Sequence, residues 1–183
     1  MDKSSLPRGP IPILSNSQIR RFMDHGAIRI TPFHPDQLAP TAYRLRPHSV
    51  RFQRKREENE IEVGTFPLSI RPYLLQPKEH VVVSIEEEIV IGKGLVGTFY
   101  PASGCVESGL VLTAGRLDAD YRHAIVFGVL NASGKEATLD HDFQLARISF
   151  TWLGEDNQPE YSGDSPASYI LHLDEKRKKE STL

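Results

Sequence analysis

Residues 124–152 read AIVFGVLNASGKEATLDHDFQLARISFTW. From Ala124 to Leu130 the chain is apolar at successive positions, so both faces of a pleated strand would be apolar; such a run belongs in a central strand or in one covered by another subunit. Asn131-Ala132-Ser133-Gly134 then supplies turn chemistry, and Ala137 to Leu139 is a brief further strand. Gln144 to Leu153 alternates instead, with Ala146, Ile148, Phe150 and Trp152 on one side and Arg147, Ser149 and Thr151 on the other, which is the pattern of a half-buried strand.

The same grammar extends back along the chain. Short β-rich runs at Ile28-Arg29-Ile30, Tyr43-Arg44-Leu45, Ser49 to Phe52, Glu60 to Val63, Tyr73-Leu74-Leu75, His80 to Ile85, Glu88 to Ile91, Val96 to Tyr100 and Gly109 to Leu112 are separated by Gly, Pro, Asn or Asp. That many short strands favour a sandwich or jelly-roll-like arrangement over βα units. The clearest local signal is a helix start. Ser15 and Gln18 form a capping box, with Leu14 and Ile19 placed as a hydrophobic staple, and Ile19, Phe22 and Met23 share one face; this predicts a helix from about Ser17 to His25, ended by Gly26.

With 183 residues the chain suits one domain with a sizeable core. The organisation expected is an N-terminal arm over 1–13, a β domain over 14–153, a C-terminal extension over 154–173 and a charged, flexible tail over 174–183. Pro7, Gly9, Pro10 and Pro12 break up the arm, which does not read as a signal peptide, and no apolar stretch suggests a membrane span. A net charge of -2 gives no global pull toward nucleic acid. Cys105 is the single cysteine, which excludes an intrachain disulfide and fits a reducing cytoplasm.

Several motifs, in order, resemble the dCTP deaminase and dUTPase family. Leu14 to Ile19 with Gly26 to Phe33 resembles the helix and first strand of dCTP deaminases, and Pro40-Thr41-Ala42-Tyr43-Arg44-Leu45-Arg46 resembles a motif that ordinarily reads Pro-x-Ser-Tyr-Asp-Leu-Arg. Pro101-Ala102-Ser103-Gly104, Thr113 to Tyr121, Leu130 to Gly134 and Gln144 to Ile148 follow in the family's order. The resemblance implies a mostly β subunit, a distorted jelly roll or β-barrel of the dUTPase-like type with a short N-terminal helix, assembled as a homotrimer with nucleotide pockets between neighbours.

Departures from the pattern bear on function. Arg44 replaces the family's Asp, which in dUTPases supports the magnesium-bound triphosphate, and a cation donates no electron pair to magnesium. The phosphate-gripping Arg-Ser reads Ala102-Ser103, and a later arginine falls at Glu107. The deaminase glutamate, which by resemblance handles protons during water attack on cytosine, falls at Gly128, which has no titratable group. What remains is Asp118-Ala119-Asp120-Tyr121. By resemblance Asp118 orients or activates water and Tyr121 packs on deoxyribose; read from the residues alone, the loop is a strand connection with Tyr at the core edge.

Other constellations are weaker. Ser103 and Gly104 sit in a loop able to present amides to an anion or simply to turn, and Cys105 reads as core or subunit contact. Arg44, Arg46 and Arg51 suggest a basic strand face engaged in surface or inter-subunit salt bridges, or a cation in the inherited pocket. The histidines are dispersed without metal-ligand spacing. The leading reading is a catalytically depleted homologue, a structural or nucleotide-binding homotrimer that takes a pyrimidine deoxynucleotide through Ser103, Gly104, Tyr121 and Arg44 without a cofactor. The alternatives are an enzyme acting on nucleotides with an altered phosphate grip, using Asp118, Tyr121 and magnesium, and a protein-binding module using the β surface and tail.

Overall fold

The computed structural model describes residues 13–55, 61–119, 121 and 124–153. The expected arm up to residue 12, the extension and the tail lie outside the described residues. Helix α1 is Asn16–Asp24, one residue earlier than the sequence predicts. Its capping box is formed: Ser15 N–H donates to Gln18 Oε1 at 2.8 Å and Gln18 N–H to Ser15 Oγ at 3.4 Å. Leu14, Ile19 and Phe22 are fully buried, and Phe22 meets Trp152 edge to face at 5.4 Å.

The strands follow in order: β1 Ile28–Thr31, β2 Leu38–Ala39 after a single 3-10 turn at Pro35–Gln37, β3 Ala42–Leu45, β4 Pro47–Lys55, β5 Ile61–Pro67, β6 Tyr73–Leu75, β7 His80–Ile85, β8 Glu88–Ile91 and β9 Leu95–Pro101. A short helix, α2 Ser103–Glu107, precedes β10 Leu110–Thr113, β11 Arg116–Leu117, β12 Val126–Asn131, β13 Ala137–Leu139 and β14 Ala146–Trp152. The turn, β2, α2 and β11 were not expected from periodicity, being too short to carry one.

Two five-stranded sheets dominate, ordered β10-β12-β7-β4-β5 and β11-β9-β14-β3-β2, with the ribbons β1-β8 and β13-β6 at their margins. All these pairings are antiparallel. The inner faces of the large sheets meet in one core, where Phe99 of β9 and Phe127 of β12 lie edge to face at 5.3 Å. Among the described residues no ladder joins the two large sheets. The run beginning at Ala124 is indeed interior: β12 lies between β10 and β7. On β14 the apolar residues are buried as expected, and Ser149, expected on the polar side, is buried too.

Candidate functional site

Arg116 and Leu117 pair with Thr98 and Gly97, so the chain leaves β11 at Asp118 beside the middle of β9. Tyr121 N–H donates to Asp118 O at 3.2 Å and closes the turn, while the Tyr121 hydroxyl donates to Ala124 O at 3.3 Å and its ring joins the core. Asp118 stays exposed. The two line a cleft of about 160 Å³ whose apolar floor includes Phe99, Ile125 and Phe127. Asp120 lies outside the described residues.

Arg116, to which the motif assigns no role, also lines this cleft. It is exposed and makes no ion pair among the described residues. The signal was its spacing: two positions before Asp118, it falls on the same side of an extended chain. The cleft therefore offers a carboxylate that accepts hydrogen bonds from water or a hydroxyl, and a guanidinium whose donors suit an anion. Magnesium is ordinarily held by one or two carboxylates with water and substrate phosphates completing its octahedral shell, and among the described residues lining the cleft Asp118 is the one carboxylate that could contribute. Among the described residues no group of three or more His, Cys, Asp or Glu is placed to hold a metal.

Arg44 does not line this cleft. It stands on β3, three strands from β11 in the sheet order, roughly 14 Å at ~4.8 Å per strand. Its cross-strand partner on β14 is Arg147, whose buried Nε has no hydrogen-bond partner. Like charges directly opposite cost stability unless an anion or a further acid sits between them. Arg46 pairs with Asp36 at 3.3 Å, and Arg51 lies on β4 in the other large sheet, so the three arginines do not form one face.

Ser103 and Gly104 also lie outside the cleft. They open α2 beyond the far end of β9, with about 13 Å of strand between Gly97 and Pro101 alone. Ser103 Oγ reaches Gln144 Oε1 at 3.4 Å, and a Cβ on Gly104 would come within 3.1 Å of the Gln144 carbonyl, so this turn packs against residue 144. Ala102 and Cys105 are buried and Glu107 is exposed. Burial pushes the Cys105 thiol up to about 11, leaving it un-ionised at neutral pH.

Gly128 is enclosed in a way the sequence did not reveal. It faces Thr113 on β10 and Val82 on β7, and Thr113 Oγ1 donates to its carbonyl at 3.2 Å. A Cβ built there would collide with Thr113 Oγ1 and come within 2.9 Å of His80 Nε2. The space through which a side chain would leave Gly128 is already occupied.

A second polar cluster lies near β3 and β8. Glu86 Oε2 takes His141 Nε2 at 3.2 Å and has His34 Nε2 at 3.9 Å. The neighbouring Glu87 is buried and accepts Arg46 N–H on both carboxylate oxygens, at 3.1 and 3.3 Å. Burial pushes its carboxyl up to about 7 against the pull of that amide.

With this geometry in view, the similarities to known proteins are consistent. A family model described as dCTP deaminase-like matches residues 13–153. The chain is 25% identical over 168 residues to a dUMP-forming dCTP deaminase of Corynebacterium kroppenstedtii, covering 85% of this chain and 90% of the relative. It is 24% identical over 173 residues to a dCTP deaminase of Natronomonas pharaonis, covering 86% and 89% respectively. Among solved structures, the 2'-deoxycytidine 5'-triphosphate deaminase of Agrobacterium tumefaciens superposes with a TM-score of 0.62 at 14% identity, over 77% of this chain and 48% of that one, so this chain spans about half its length. That likeness fixes the fold as the jelly-roll-like β fold of these proteins.

Proposed function

The chain belongs to the dCTP deaminase-like family, and from that premise we propose that it is a catalytically depleted member, a homotrimer that binds a pyrimidine deoxynucleotide without deaminating it. The observation that carries the reading is Gly128 at the family's proton-handling position, with the adjoining space filled by Thr113 and His80. Water attack on a cytosine ring needs a group that takes and returns a proton within hydrogen-bond reach, and glycine supplies none.

Trimerisation finds support in the size of the Asp118 cleft. At about 160 Å³ it is smaller than the ~300–1,000 Å³ of ordinary ligand sites, so one chain supplies only part of a nucleotide pocket. Arg44, Ser103 and Gly104, too far away along their own chain, would reach a ligand in the cleft from a neighbouring copy. Pockets between subunits are what the family resemblance implies.

Asp118, Tyr121 and Arg116 around one cleft favour a second reading, a nucleotide diphosphohydrolase with an altered phosphate grip. There Asp118 orients the attacking water, Tyr121 supports the sugar and Arg116 draws the phosphates.

Thermal unfolding with a panel of nucleoside mono-, di- and triphosphates, with and without magnesium and with product analysis, separates these readings. Binding without turnover predicts that dCTP or dUTP at a hundred times its Kd raises Tm by ~5–10 °C, and that Arg116→Ala reduces the shift. Turnover abolished by Asp118→Asn would instead establish the hydrolase or an altered deaminase. No shift with any nucleotide would leave the protein-binding module.

A further inference from the structure

A second cleft, of about 400 Å³, opens where β4 and β5 run past β6, and it shares no residue with the Asp118 cleft. Its floor is aromatic. Tyr73 lies 6.0 Å from Phe52 and 5.4 Å, edge to face, from Phe66. Phe52 is opposite Gly64 on β5, where a Cβ would come within 2.6 Å of the Phe52 ring, so the glycine lets the ring lie over its neighbouring strand. Phe52 and Phe66 are only partly buried and Leu74 is 48% exposed, leaving this apolar floor open to solvent.

Two guanidinium groups border the floor, one with an acidic partner and one without. Arg54 lies 5.2 Å from the Phe52 ring and 5.4 Å from the Tyr73 ring. Two of its donors are engaged, Nε on Glu79 Oε1 at 2.9 Å and Nη2 on the Tyr73 hydroxyl oxygen at 3.0 Å. The Tyr73 hydroxyl itself donates to Glu79 Oε1 at 2.7 Å, and Gln76 N–H donates to Glu79 Oε2 at 2.8 Å. Arg54 is thereby tied to the wall, its charge balanced by Glu79. Arg71 lies 5.2 Å from the Phe66 ring and has no hydrogen bond or ion pair among the described residues. Its guanidinium lies against the ring while its donors remain available.

We propose that this cleft binds a small planar aromatic anion, with the ring on the Phe52–Phe66–Tyr73 floor and the anionic group on Arg71. Ring and charge recognition are both needed. An aromatic floor alone takes any apolar ring, and an exposed arginine alone holds anions weakly against water and salt. An aryl phosphate or aryl carboxylate meets both features, as does a nucleotide through its base and phosphate. Because no residue is shared with the Asp118 cleft, this inference does not depend on the function proposed there.

Nuclear magnetic resonance titration of the full chain tests it, following the Arg71 Nε–H and the Phe66 ring protons with phenyl phosphate, benzoate, inorganic phosphate and phenol in separate arms. Saturable shifts are expected with phenyl phosphate and benzoate. Phosphate or phenol alone should bind at least ~10-fold more weakly, since each supplies half of the recognition. Arg71→Ala should weaken phenyl phosphate binding ~10-fold or more without lowering Tm, and Arg71→Lys should fall between, keeping the charge without the planar fork. Shifts that do not saturate, that inorganic phosphate or phenol alone reproduces, or that survive Arg71→Ala unchanged would overturn the proposal.

Discussion

Glu87 is a carboxylate at 2% exposure whose nearest donor is a backbone amide rather than a cation. Its carboxyl, pushed by burial from 4.5 up to about 7, holds a proton in the folded chain that the unfolded chain releases between those values. Its contribution to stability is therefore present below about 4.5, falls as pH rises through that window and is lost above about 7. Glu87→Gln keeps an acceptor for Arg46 N–H and removes the charge. Urea unfolding should show it more stable than the parent chain by ~1–2 kcal/mol at pH 8, with the difference closing near pH 4.5; a difference independent of pH would contradict this. Nothing in the sequence marks Glu87, because Glu86-Glu87-Glu88 reads as one solvated acidic run and only the approach of Arg46, distant in sequence, distinguishes its middle member. That Asp118 and Tyr121 lie close together was legible because their motif is local, whereas Arg116, which lines the same cleft, has no role in that motif. Arg44 was marked as a departure from the pattern, but its opposition to Arg147 required the strand register.

Between elements, the contact of β10 with β12 decides what Gly128 can become. Gly128→Ala should cost ~1–3 kcal/mol by overpacking against Thr113 and His80. Part of that loss should disappear in a Thr113→Ala background, where the colliding hydroxyl is gone; equal costs in the two backgrounds, measured by chemical denaturation, would show that the Thr113 contact is not its source. In α1, Ser15→Ala should cost ~1 kcal/mol by removing one half of the capping box. Circular dichroism during denaturation would check that figure. That helix was legible because capping is written in residues three apart. The long strands were legible through alternation and turn residues, and β12 was recognised as interior because its apolar run leaves no polar face. The two-residue strands β2 and β11 and the five-residue α2 were not, since fewer than two periods carry no pattern and their existence depends on partners remote in sequence.

For the whole molecule, the two large sheets carry the family's fold, while the proposed loss of deamination rests on single side chains such as the missing one at Gly128. Order and spacing of weak motifs reveal a fold, because each marks a turn or packing point that the architecture requires. Activity rests on a few charged atoms at set distances, and whether neighbouring chains supply them is not written in one chain's sequence. Sedimentation equilibrium should give about 62 kDa, three copies of the 20.6 kDa chain; a monomer would remove Arg44, Ser103 and Gly104 from the proposed pocket. The most direct test follows deoxycytidine triphosphate incubated with a stoichiometric amount of the full chain, by proton resonance of the pyrimidine ring. A cytosine spectrum that persists, together with ligand-induced line broadening, is the predicted result; uracil signals that appear with the parent chain and vanish with Asp118→Asn would contradict it.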